Sequence, residues 1–84
     1  MKVFVLPYCP HCKRAIDYIE ALKSEDDKYV NIDFEFIDES IEVDLAISFD
    51  YYYVPSFFDG DKKLHEGTIN KEQLRILLDE YLGG

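Results

Sequence analysis

Apolar and polar positions alternate along this chain with periods that change from segment to segment. Val3-Phe4-Val5-Leu6 is an unbroken apolar run closed by Pro7, the pattern of a buried central strand with helices on both faces. Cys12, Ala15, Ile16, Ile19 and Leu22 then recur at three- and four-residue steps, which predicts an amphipathic helix beginning at Cys9 and Pro10. Ile32, Phe34 and Phe36 alternate with Asp33 and Glu35, as in a half-exposed strand at a sheet edge. Ser40 is placed to cap a second helix carrying Ile41, Leu45 and Phe49, with Asp50 as a left-handed cap at its end. Residues 54–58 read as a strand, Asp59-Gly60 as a hairpin turn, residues 62–66 as a fourth strand and Gly67 as its end. Asn70 and Gln73 have capping-box spacing ahead of the stripe Leu74, Leu77, Leu78, Tyr81 and Leu82. The order βαβαββα predicts an α/β fold with a four-stranded mixed sheet flanked by three helices, and residues 1–84 as one domain.

Composition narrows what such a domain does. With 48% hydrophobic residues and no low-complexity tract, the chain can bury a core. A net charge of -9, from 18 acids against 9 bases, disfavours nucleic acid and anionic lipid as partners. Four apolar residues before Pro7 are too few for a signal-peptide core or a membrane span. The expectation is a cytoplasmic monomer that meets neither membrane nor nucleic acid. The acids Glu25-Asp26-Asp27 read as a solvated loop, and His65 as an exposed strand residue.

The distinctive stretch is YCPHCK, residues 8–13, which holds the chain's 2 cysteines. In a reducing compartment a close cysteine pair is more often catalytic or metal-binding than structural. A bridge across so short a loop would also remove little entropy from the unfolded chain. Pro10 suits the first helical position, where a missing N–H costs nothing, and this leaves Cys9 as the residue that caps the helix. Unpaired amides at a helix start favour thiolate over thiol by up to about 2 kcal/mol, or roughly 1.5 pKa units. His11, if protonated or donating a hydrogen bond, would add to this, as would the charges of Lys13 and Arg14. Cys12 falls one turn further in. An exposed nucleophile with a nearby resolving thiol is the arrangement that dithiol exchange needs. The alternative is a metal-binding or metal-delivery module on the same thiols, for which only His11 and His65 remain as further nitrogen or sulfur ligands.

The segment VFVLPYCPHCKRAIDYIE resembles the opening of a glutaredoxin, and YYYVPSFFDG resembles the stretch around the cis-proline of thioredoxin-fold proteins. The resemblance to the thioredoxin-like superfamily spans nearly the whole chain. It implies a thioredoxin fold, Cys9 as nucleophile, Cys12 as resolving thiol, and a cis Val54–Pro55 bond facing them. It also implies a substrate groove lined by Tyr8, Pro10, His11, Tyr53, Val54 and Pro55, where the backbone before the proline pairs with substrate like an added strand. The activity implied is thiol–disulfide exchange with protein or small disulfides, without a bound cofactor or metal. The electron donor implied is glutathione or a reductase of the thioredoxin-reductase type. Departures bear on that donor. Where glutaredoxins carry a lysine, a threonine before V-P and a Gly-Gly-Asp-like segment, this chain has Leu6, Tyr53 and Glu66-Gly67-Thr68-Ile69. The acid at Glu66 is expected to repel an anionic tripeptide. The stretch EGTINKEQL is closer to the end of a thioredoxin, but Tyr8 and Val3 stand where thioredoxins have a tryptophan and a buried acid. CPHC itself matches the strongly oxidising periplasmic disulfide-forming proteins over four residues.

Overall fold

Two segments with different jobs build the centre of the molecule. In the computed structural model, which describes residues 1–83, β1 spans Lys2–Val5 and α1 spans Pro10–Glu25. Val3 and Phe4 are fully buried on opposite faces of β1, as an apolar run without alternation requires. The sheet has the order β2-β1-β3-β4. β2, Glu35–Asp38, runs parallel to β1, and β3, Ser56–Asp59, runs antiparallel to it. β4, Lys62–Glu66, closes a hairpin with β3 through a turn in which Gly60 has a positive φ of 58°. With α2 at Val43–Ile47 and α3 at Lys71–Gly83, this is the thioredoxin-fold layout: a four-stranded mixed sheet and three helices.

Each face of the sheet has its own core. On one side Val3, Val5 and Phe57 pack with Cys12, Ala15, Ile19 and Leu22 of α1 and with Leu74 and Leu78 of α3. On the other, Phe4, Ile37, Phe58 and Ala46 form a smaller cluster under α2. Aromatic rings stiffen it: Phe4 lies 4.9 Å from both Phe49 and Tyr51 and meets Phe58 edge-on at 5.7 Å. Such pairs add about 0.5–1.5 kcal/mol each beyond burial. Asn70 and Gln73 form the reciprocal capping box expected of them, at 3.0 and 2.7 Å. No helix among the described residues is long and apolar enough to cross a membrane.

Five expectations are corrected. The second strand is Glu35–Asp38 rather than residues 32–36, because Asp27–Asn31 winds into a 3-10 helix that drives Tyr29 and Ile32 into the larger core. That helix also replaces the expected loop, with Asp26 capping it by accepting from the Lys28 amide at 3.1 Å. α2 starts at Val43, not at Ser40: the Ser40 amide and hydroxyl both donate to the Asp38 carboxylate, and the hydroxyl accepts from no helix-start amide. The third strand is Ser56–Asp59 rather than 54–58, because residues before Ser56 leave the ladder with β1. Asp50 is not a left-handed cap: among the described residues no side-chain-bearing residue has a positive φ.

Candidate active site

Everything singled out in the sequence for chemistry is carried to one end of the sheet. β1 delivers the chain to Cys9, while Val54 and Pro55 enter β3, whose Ser56 stands opposite Phe4 of β1. The two segments therefore meet above the C-terminal end of the central strand, and Cys9 and Val54 pack on the same core cluster. The Val54–Pro55 bond is cis and Pro55 is buried.

Cys9 is the N-cap of α1, with extended φ and ψ of -84° and 117°, and Pro10 follows at the first helical position. Its carbonyl accepts from the Lys13 amide at 3.1 Å, and its own amide donates to the Leu6 carbonyl at 3.2 Å. The sulfur is thereby fixed at the helix start. Partial burial raises the pKa of Cys9. The amide and thiol of Cys12, the amide of His11 and the guanidinium of Arg14 oppose it, and together they hold Cys9 below the ordinary cysteine value. The thiol itself makes no capping hydrogen bond of ordinary geometry, so these amides act on the anion. Cys12 is 1% exposed. Burial pushes its thiol up to about 12, helped by its contact with Cys9 and by the charges of Cys9 and Glu39, against the pull of the Leu6 main chain. Both sulfurs are free thiols. One is poised to ionise and the other to keep its proton.

His11 contributes through its backbone more than through its ring. Its exposed imidazole lies with Nδ1 3.2 Å from Arg14 Nη1, and because a guanidinium only donates, Nδ1 is the acceptor. Tyr8, Tyr52 and Tyr53 are 96%, 85% and 70% exposed, so in the run Tyr51-Tyr52-Tyr53 the last two stand outside the core. Tyr51 alone of that run turns inward, where its hydroxyl donates to Glu39 at 3.2 Å.

Glu66 behaves differently from its expectation. Its carboxylate is not a free negative charge facing the groove, because it accepts from the amides of Tyr52 and Tyr53 and pairs with Lys63. Sequence reasoning missed this contact. An acid on an edge strand reads as solvent-facing, and its partners lie 14 and 13 residues away. His65 is half-buried rather than exposed and donates through Nε2 to the Thr68 carbonyl at 2.8 Å. Among the described residues no three His, Cys, Asp or Glu side chains gather as metal ligands.

Compared with protein-family models, with curated proteins and with solved structures, the chain matches none.

Proposed function

We propose that this protein is a thiol–disulfide oxidoreductase of glutaredoxin-like or thioredoxin-like kind, acting in the cytoplasm as a monomer. The observation that carries the reading is the asymmetry of two thiols in one helical turn: Cys9 at the helix start with a lowered pKa, and Cys12 buried behind it and protonated. Support comes also from the placement of the Val54–Pro55 segment, which enters β3 opposite the end of β1 and packs on the same core cluster as Cys9.

The chemistry follows from that asymmetry. The Cys9 thiolate attacks one sulfur of a substrate disulfide, a Cys9–substrate disulfide forms, and the other substrate sulfur leaves as a thiolate that takes a proton. Cys12 then loses its proton and attacks the Cys9 sulfur. The Cys9–Cys12 disulfide forms as the second substrate thiol leaves, so two electrons pass from the dithiol to the substrate. Proximity drives this second step, since Cys12 ionises poorly by itself. A thiol reductant, glutathione or a reductase dithiol, returns the protein to its starting state, and the reverse sequence oxidises a substrate dithiol. Protein disulfides are the substrates that suit the exposed Tyr8 and Tyr53 beside Pro10, His11, Val54 and Pro55.

Reduction of insulin disulfides by the purified protein with dithiothreitol as donor tests the reading. Cys9→Ser should abolish turnover, and Cys12→Ser, reduced, freed of dithiothreitol and then mixed with insulin, should accumulate a mixed disulfide that survives denaturation. Turnover that persists in Cys9→Ser would refute it. Metal retained by the anaerobically purified protein through both thiols would favour the metal-binding alternative.

A further inference from the structure

Glu66 closes β4, an edge strand, where an acidic side chain ordinarily faces water. Here 19% of its side chain is exposed. Oε2 accepts from the amide of Tyr52 at 2.6 Å and from that of Tyr53 at 3.0 Å, while Oε1 lies 2.7 Å from Lys63 Nζ. Two successive amides aimed at one point make a cradle for an anion. The chain fills that cradle with its own carboxylate and neutralises it with its own lysine.

What this clip holds is the segment that leads into Pro55. The amides of Tyr52 and Tyr53 are taken by Glu66, the Tyr53 carbonyl accepts from the buried Ser56 hydroxyl, and the Pro55 carbonyl accepts from the Gly67 amide at 2.9 Å. Val54 is held at neither group. No hydrogen bond among the described residues engages its amide or its carbonyl. The flanking backbone is held at four points, the amides of Tyr52 and Tyr53 and the carbonyls of Tyr53 and Pro55, while Val54 between them is left with both groups unpaired, and the rings of Tyr52 and Tyr53 are held out at 85% and 70% exposure. A loop ordered in advance does not lose that freedom when a partner binds, and the saving grows with the number of residues the partner touches.

We propose that Glu66 is a positioning residue that presets residues 52–54 for an extended polypeptide disulfide, and so sets a preference for polypeptide over small disulfides. The proposal rests on the exchange reading of Cys9 and Cys12. A small disulfide needs only the sulfur of Cys9. A polypeptide needs the prepared backbone as well.

The experiment compares insulin with 2-hydroxyethyl disulfide, each with dithiothreitol as donor, in the parent protein, Glu66→Ala and Glu66→Gln. Glu66→Ala should raise KM for insulin about tenfold with kcat little changed, the cost of ordering about one residue on binding. Its rate with 2-hydroxyethyl disulfide and its thiolate absorbance against pH should match the parent. Glu66→Gln keeps a carbonyl oxygen for the two amides and should recover most of the loss. If the alanine variant fails to fold, Glu66→Asp, one methylene shorter, replaces it with the same expectation. An unchanged KM for insulin, an equal loss with both disulfides, or a glutamine variant as impaired as the alanine would overturn the proposal while leaving the exchange reading intact. A parent protein inactive toward both disulfides would overturn that reading, and the proposal with it.

Discussion

At the scale of single residues, the separation of Cys9 from Cys12 is a matter of what surrounds each proton. Cys9 is held below the ordinary cysteine value despite its partial burial, and Cys12 is pushed up to about 12 by its own. The rate of alkylation of Cys9 by iodoacetamide should rise with pH through a midpoint below the ordinary cysteine value. Cys12 should stay unmodified until the protein is unfolded. At neutral pH the two rates should differ by at least about 100-fold, since a lower pKa also weakens a thiolate as a nucleophile and so offsets part of the gain. Mass spectrometry of the modified peptides measures this, and equal rates would overturn the assignment of roles. This much was legible, because Cys-Pro at a helix start is a local signal. The part played by His11 was not. Sequence suggests its ring, and the amide that faces Cys9 is present in any residue at that position.

Among the elements, the 3-10 helix at Asp27–Asn31 ties the larger core to α3. Tyr29, 1% exposed, donates its hydroxyl to Asp79 of α3 at 2.6 Å, and Lys28 pairs with the same carboxylate at 3.2 Å. The hydroxyl first, and then the ammonium, hold the Asp79 carboxyl below its usual range. Tyr29→Phe should lower stability by about 1 kcal/mol and Tm by about 4–8 °C, read from thermal melts near pH 7. Because the folded pKa of Asp79 is depressed, its contribution is present above the unfolded value of about 3.9 and is lost as pH falls through the folded one. Parent and variant should therefore converge in acid, and a difference that persists there would assign the effect to packing. The helices with strong local signals, α1 with its proline and α3 with its capping box, were readable. β2 was not, for a physical reason. The alternation of Ile32, Phe34 and Phe36 is real, but the 3-10 helix sends Ile32 into the core before the strand begins, and pairing with β1 selects Ile37 for the opposite face. α2 was misplaced because the hydroxyl read as its cap is captured by Asp38.

At the scale of the whole molecule, a net charge of -9 biases every encounter. The cations nearest the thiols are engaged locally, Lys13 with Asp17 at 3.3 Å and Arg14 with His11 at 3.2 Å. At low ionic strength the cationic disulfide cystamine should therefore be reduced about threefold or more faster than anionic glutathione disulfide. The ratio should shrink as salt shortens the Debye length to ~3 Å near 1 M. A ratio indifferent to salt would locate the preference in contacts at the site instead.

The pairing of β1 also bears on the order in which the protein is made. β1, which leads into the thiols, is translated before its sheet partners, which lie far downstream: Val3 pairs with Phe36 on one side and with Phe57 on the other. Until the ribosome has delivered both, α1 has no sheet to lie on, and an isolated helix of 16 residues is marginal in water. The amides that favour the Cys9 thiolate exist as a set only when that helix does. A nascent chain therefore carries two ordinary thiols, and its reactivity switches on with completion of the fold rather than with synthesis of the cysteines.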